Sequence, residues 1–400
     1  MDGLPRDLLD KILFRVDLRS LSMMRCTHRT LETHINDPYF ESEYSSRVGS
    51  DLLHISAYGS CYLSYNPNGD SRSLKIKDTL RDSHILASCS GLLLLVIDNL
   101  LCVLNPLTKK FQFFTQSRFM RFTPGVLCSE NKRHIGFAVD QVDRTTQSFK
   151  VVHMIDMGRT YKFEINGGHS WRRLETTLTC DSSLMKPPVY VDGSLHWLRN
   201  DGSIVTFSLE TEEARLIPVK FPPGLTLKTL FAAGDNGITL ISATEEVIYF
   251  YALKNILSDQ RPKWVLVKQI HNGVMDKKKI YYWNVVAYNG KCLVLSECSR
   301  DLNRVVHVYH LSANKWVNMG SVPGWCDANQ DFFQFTRSVF SVVGQEKISA
   351  WGNRWISSLS SIIELIDGSS SEKVGNHLRK RSAEHNFLYE QSTNRKRRVV

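Results

Sequence analysis

The sequence predicts a mainly β protein with a small α domain. Three short helices occupy residues 1–45, a β-propeller of about six blades 46–352, one amphipathic helix 353–368 and a disordered basic tail 369–400. Three observations carry this prediction. Apolar residues recur at helical spacing through the first forty-five residues. Glycines 91, 136, 193, 237, 290 and 344 then lie 44–57 residues apart, the period of a propeller blade, among short apolar runs broken by Gly, Asn, Asp and Pro. From Trp355 the period changes back: Trp355, Leu359, Ile362, Ile363 and Ile366 fit one helical face, expected to pack on the propeller wall.

Pro5 sits where a helix begins, since a first-turn residue needs no N–H. Leu8, Ile12 and Val16 follow at four-residue spacing, with Leu9 and Leu13 beside them. Asp17 is a natural N-cap for a second helix carrying Leu18, Leu21, Met24 and Cys26. Asp37-Pro38 repeats the start signal ahead of Phe40 and Tyr44. A unit this small cannot bury all its apolar side chains, so some are expected at the surface, as in a docking module.

The run Leu4-Pro5, Asp7-Leu8, Ile12-Leu13, Ser20-Leu21, Arg25-Cys26 and Asp37-Pro38-Tyr39-Phe40 resembles an F-box over residues 2–45. The resemblance implies docking to a Skp-family adaptor, and through it to a cullin, by Leu4, Pro5, Leu8, Ile12, Leu13 and Leu21. Leu31 stands where many members carry tryptophan, which removes an aromatic contact and is expected to weaken docking rather than the fold.

Along the β region one strand-and-turn mark recurs: Cys89-Ser90-Gly91-Leu92, His134-Ile135-Gly136-Phe137, Val191-Asp192-Gly193-Ser194, Asp235-Asn236-Gly237-Ile238, Tyr288-Asn289-Gly290-Lys291 and Val343-Gly344-Gln345. Glycine suits a tight turn needing positive φ. Outer strands follow at 101–104, 205–209, 247–251 and 305–311, and Trp171, Trp264 and Trp316 begin the pieces after them. Too little β-like sequence follows Gly344 to complete a blade, so the strands near residues 52–65 are expected to close the ring by joining the two ends of the domain. Ser88-Cys89-Ser90-Gly91-Leu92-Leu93, Asn105-Pro106-Leu107-Thr108-Lys109, Gly136-Phe137 with Asp140, Phe149-Lys150-Val151-Val152, Ser170-Trp171-Arg172 and Gly193-Ser194-Leu195-His196-Trp197 are similar to the F-box-associated repeat domain of plants. That resemblance implies a kelch-like propeller that holds a substrate protein.

Composition excludes several classes. No apolar run approaches the ~20 residues of a membrane helix, and the N-terminus lacks a basic-then-apolar leader, so no membrane partner and no secretion are expected. Nine cysteines without a C-x-x-C pair read as reduced core residues. Of the net charge of +10, half lies beyond His377, which leaves the rest too dilute for a nucleic-acid groove.

His307 and His310, three apart on a strand, point to opposite faces, and no metal-ligand spacing occurs. No cofactor is expected. There is no G-x-S-x-G elbow or P-loop, so no catalytic residue is assigned; a propeller hydrolase has no motif behind it. His196 reads as a hydrogen-bonded structural residue, and Phe332, Phe333 and Phe335 as blade packing with one ring able to reach a loop surface. Arg379, Lys380 and Arg381, then Arg395, Lys396, Arg397 and Arg398, form two spaced basic clusters that suit a nuclear import receptor.

Two functions fit. The first is the substrate receptor of an SCF-type ubiquitin ligase, non-catalytic and located in nucleus, cytoplasm or both. The second is a nuclear propeller scaffold with a degenerate F-box.

Overall fold

The computed structural model describes residues 4–367 apart from 17, 26, 36, 38, 41–42, 45–50, 57–58, 66–71, 78–82, 98–99, 121–128, 142–145, 182, 227, 235–236, 257–260, 275–279, 300–303, 323–331, 339–340 and 343–352. The Asp17 cap, the mark at Gly344 and the tail from 369 lie outside the described residues.

Three helices open the chain: α1 (Arg6–Leu13), α2 (Leu18–Arg25) and α3 (Arg29–Ile35). Strands β1 (Asp51–Ser56), β2 (Gly59–Tyr65) and β3 (Arg72–Lys77) follow as an antiparallel meander. Five further meanders run from β4 (Ser83–Cys89) to β7 (Lys110–Thr115), β8 (Ile135–Gln141) to β11 (Arg172–Thr179), β12 (Val189–Val191) to β15 (Ala214–Ile217), β16 (Thr229–Gly234) to β19 (Lys263–His271), and β20 (Ile280–Tyr288) to β23 (Lys315–Val322). We number these blades 1 to 5.

The sixth blade is composite. Strand β24 (Phe332–Phe335) pairs antiparallel with β1, placing Leu53 opposite Phe333, so the order is β24-β1-β2-β3. The C-terminal part of the chain supplies the innermost strand and the N-terminal part the three outer ones. Successive first strands touch in the order β4, β8, β12, β16, β20, β24 and back to β4, which closes the propeller. The expected closure therefore occurs, with residues 51–65 in the joint. Full closure protects the inner sheet edges that an open array would expose.

Four of the glycine marks stand where the first strand of a blade turns into the second, all with positive φ: Gly91, Gly193 and Gly290 in the turn, and Gly237 as the first residue of the second strand of blade 4. Gly136 does not. It lies inside β8, where a Cβ would run into the Leu195 side chain of blade 3. It is needed for close packing between blades rather than for a turn.

The tryptophans also share a position, at or just before the fourth strand. Trp171 Nε1 donates to the Thr115 carbonyl at the end of β7 (2.7 Å), and Trp316 Nε1 to the His271 carbonyl at the end of β19 (3.4 Å). Each joins the start of one outer strand to the end of the outer strand before it. Inside, the second strand of blade 1 (Leu92–Ile97) is buried along its whole length, which explains its unbroken apolar sequence.

The C-terminal helix spans Asn353–Asp367. Leu359, Ile362, Ile363, Leu365 and Ile366 join Leu53, Tyr62, Leu104, Phe111 and Phe335 in one core cluster. The helix thus covers the joint between blades 6 and 1. No described helix is long and apolar enough to cross a membrane.

Candidate functional site

Helix α1 carries apolar residues on two faces. Leu9 and Leu13 turn inward and build the core of the N-terminal unit with Leu21, Leu31, Ile35, Phe40 and Tyr44. Leu8 and Ile12 turn outward and remain 47% and 49% exposed, with Leu4 41% exposed just before the helix. A shift of one residue turns a helical side chain by about 100°, so adjacent leucines in this sequence belong to different surfaces.

The ends of the unit are tied together. Pro5 is the N-cap rather than the first helical residue, with ψ at 142°, and its carbonyl accepts from the amides of Leu8 (3.0 Å) and Leu9 (3.1 Å). Arg6 donates to Asp37 Oδ2 at 2.6 Å, and Asp37 Oδ1 accepts from the Tyr39 amide at 2.9 Å. The Arg6 hydrogen bond, then the Tyr39 amide, hold the Asp37 carboxyl below its usual value. His34 Nε2 meets Asp10 Oδ1 at 2.6 Å, Tyr44 donates to the Val16 carbonyl, and Phe14 stacks on Phe40 with centroids 5.0 Å apart. These contacts fix α1 so that Leu4, Leu8 and Ile12 form one outward strip. Tyr39 and Met23 are exposed as well, at 68% and 65%.

Of the six residues expected at a docking surface, Leu4, Pro5, Leu8 and Ile12 are therefore outward. Leu13 and Leu21 are corrections: both are buried inside the unit and hold its helices together. Leu31 is buried in the same core, so the expected aromatic loss is an interior substitution and not a gap in the outward strip.

The unit seats on the propeller through Leu107, which packs against both its core and the core beneath the C-terminal helix. Leu107 lies in the turn between the third and fourth strands of blade 1. Because the blades are antiparallel meanders, the loops carrying Met157 and Leu184 lie at the opposite end of the sheets. Leu184 is 70% exposed there, and its carbonyl accepts from the Asn200 amide at 3.0 Å, which steadies the loop.

Elsewhere the titratable groups are structural. His196 is buried with Nδ1 3.0 Å from Thr206 Oγ1, and burial pushes its pKa down to about 4. His307 lies 3.1 Å from Glu297 and His310 lies 3.4 Å from Cys292 Sγ. No cluster of metal-ligating side chains occurs among the described residues. Cys89, Cys102, Cys180 and Cys292 are free thiols, but Cys298 is disulfide-bonded, against the expectation from spacing. Phe332 and Phe335 are buried in the closing strand, and Phe333 is half-buried beneath Lys132 at 5.1 Å. Arg379, Lys380, Arg381, Arg395, Lys396, Arg397 and Arg398 lie outside the described residues.

Residues 1–43 match the F-box domain. An Arabidopsis thaliana protein bearing an F-box name is 52% identical over 363 residues, covering 85% of both chains. A second from the same plant, bearing an F-box/kelch-repeat name, is 48% identical over 86% of this chain and 79% of its own. A third, an F-box protein, is 43% identical over 70% of this chain and 95% of its own. Among solved structures, the Aleuria aurantia lectin, a six-bladed propeller, overlays 70% of this chain and 97% of its own at 10% identity and a TM-score of 0.31.

Proposed function

Since the chain belongs to the F-box/kelch-repeat family, we propose that it is the substrate-receptor subunit of an SCF-type ubiquitin ligase. The outward strip of Leu4, Pro5, Leu8 and Ile12 docks a Skp-family adaptor, which links the chain to a cullin. The propeller holds a target protein. The single observation behind this reading is the strip itself: three large apolar side chains in a row, Leu4 just before α1 and Leu8 and Ile12 on it, exposed while the opposite face of the helix already fills the unit's core. A surface of that kind favours burial by a partner.

The receptor's contribution is proximity. It raises the effective concentration of target lysines near a conjugating enzyme, and the bond-making chemistry belongs to other subunits. Leu184 stands at the end of the sheets away from the F-box seat, a favourable place for a target to be held clear of the adaptor. The two basic clusters of the tail direct part of the protein to the nucleus. The scaffold alternative rests on Leu31 and on the basic tail; Leu31 lies in the interior of the unit and not in the outward strip, which leaves the tail as its support.

The test is binding of the full chain to a purified plant Skp-family adaptor, beside a Leu8→Asp/Ile12→Asp variant. Binding lost in the variant, with unchanged circular dichroism, supports the receptor. A folded wild-type chain that does not bind the adaptor refutes it.

A further inference from the structure

We infer that the mouth of the central channel, at the end of the propeller away from the F-box seat, is a docking site for an acidic peptide segment of the target protein. The inference rests on the receptor reading and gives the target its chemistry.

The first strands of the blades line the channel, since each touches the next around the ring. They run in one direction, so the residues that lead into them gather at one mouth. Three blades set cations there. Lys132 and Arg133 lie in the short helix Ser129–His134 that leads into β8, Lys186 comes just before β12, and Lys228 immediately precedes β16. Lys132 Nζ lies 5.1 Å from the centre of the Phe333 ring, which belongs to the first strand of blade 6. Blades 2 and 6 are not neighbours, so this contact reaches past the start of β4. Lys228 Nζ lies 3.7 Å from the centre of the Trp283 ring and 5.6 Å from that of Tyr282, both on β20.

These rings position the cations without neutralising them, because a ring face attracts through its quadrupole and carries no net charge. Among the described residues, Arg133, Lys186 and Lys228 make no ion pair. Burial lowers the Lys228 pKa against a smaller opposing pull from Glu245. Lys186 is exposed, yet desolvation and then the charge of Arg133 hold its pKa below the usual lysine value. Crowded, partly dehydrated like charges are relieved when an anion joins them. The other mouth has the opposite character: Tyr190 donates to Asp140 there, and Asp192 is exposed in the turn beyond β12. An acidic ligand is therefore drawn to one end of the channel.

The surroundings of the cations favour a peptide over a nucleic acid. Leu184, 70% exposed, stands two residues before Lys186. Met157, 57% exposed, lies at the same end, in the turn between the second and third strands of blade 2. Apolar side chains beside charge suit the side chains of a peptide and offer nothing to a phosphodiester backbone.

The test follows the anisotropy of a fluorescent Asp/Glu-rich peptide carrying one leucine, added to the full chain. The same peptide with Asn and Gln in place of its acids, and a labelled single-stranded oligothymidylate, are compared with it. The wild type should bind the acidic peptide, ignore the amide version and bind the oligonucleotide more weakly. Arg133→Gln/Lys186→Gln/Lys228→Gln should weaken peptide binding on the order of ten-fold or more. Lys254→Gln/Arg261→Gln/Lys263→Gln removes the same charge from exposed positions at the other end of blade 4. It should leave affinity within about two-fold. Should the mouth variant fail to fold, Lys186→Glu, at an exposed side chain, takes its place with the same expectation. A wild type that ignores the acidic peptide while binding adaptor, equal losses in both triple variants, or tighter binding of the oligonucleotide overturns the inference. Peptide binding by a chain that does not bind adaptor overturns only the receptor reading.

Discussion

Asn105 and Ser338 are 233 positions apart, yet the Asn105 amide donates to the Ser338 carbonyl at 3.0 Å in a fully buried site. The bond joins blade 1 to the segment that follows the strand closing blade 6. It gives a physical reason for the two motifs of blade 1: Ser90-Gly91 makes room for Thr336–Ser338, and Asn105 grips it. Both residues serve closure of the ring rather than blade 1 alone.

Asn105→Ala should lower stability by about 2 kcal/mol or more, since it strips one donor and one acceptor from buried partners. Asn105→Asp should cost more, because it sets a carboxylate against a carbonyl. Denaturant unfolding followed by tryptophan fluorescence measures both, and a midpoint unchanged in Asn105→Asp would contradict the latch.

Two turn glycines separate space from conformation. At Gly193 φ is +72° and a Cβ would meet nothing within 4 Å, so Gly193→Ala should cost only about 1 kcal/mol of backbone strain. At Gly91 φ is +80° and a Cβ would also sit 2.8 Å from the Ser338 nitrogen. Gly91→Ala should therefore be clearly worse in the same unfolding experiment, and equal costs would argue against the close packing of Ser338.

The two faces of α1 should respond oppositely. Leu13→Ala should destabilise the F-box by about 2–5 kcal/mol and weaken adaptor binding only indirectly. Leu8→Ala should leave the melting temperature within about 1 °C and weaken binding by on the order of 2 kcal/mol. Calorimetric melting beside an adaptor titration distinguishes them.

His196 predicts a pH dependence. Its folded pKa, about 4, lies below the ordinary value of 6.5 because burial disfavours the charged ring. The unfolded chain therefore takes up the proton first as pH falls. The stabilisation is complete above pH 6.5, drains between 6.5 and 4 at about 1.4 kcal/mol per unit, and is gone below 4. In urea unfolding between pH 7.5 and 4.5, His196→Gln should flatten the slope by about one proton; an unaltered slope would show that the ring titrates normally.

The tail can be tested apart from the fold. A reporter carrying residues 369–400 should accumulate in nuclei, and alanine at Arg395, Lys396, Arg397 and Arg398 should abolish this. Even distribution of the unmodified fusion would count against import.

Much of the fold was legible because its signals are local. Positive φ selects glycine at Gly91, Gly193, Gly237 and Gly290, and a four-residue period marks α1 and the helix Asn353–Asp367. Gly136 looked the same in sequence although it answers to the Leu195 side chain of the next blade. A glycine chosen for conformation and one chosen for contact are the same letter.

The sequence by itself determined the kind of element at each point, the repeat of the blades and the F-box resemblance of residues 2–45, since backbone preference and periodicity act over a few residues. Tertiary structure alone decided that Leu9, Leu13, Leu21 and Leu31 are core while Leu8 and Ile12 are surface. It also decided that residues 332–335 pair with β1 and that Leu107 faces the F-box. Those outcomes depend on which surfaces meet once the ring closes, and burial is a property of the assembled chain that no local pattern encodes.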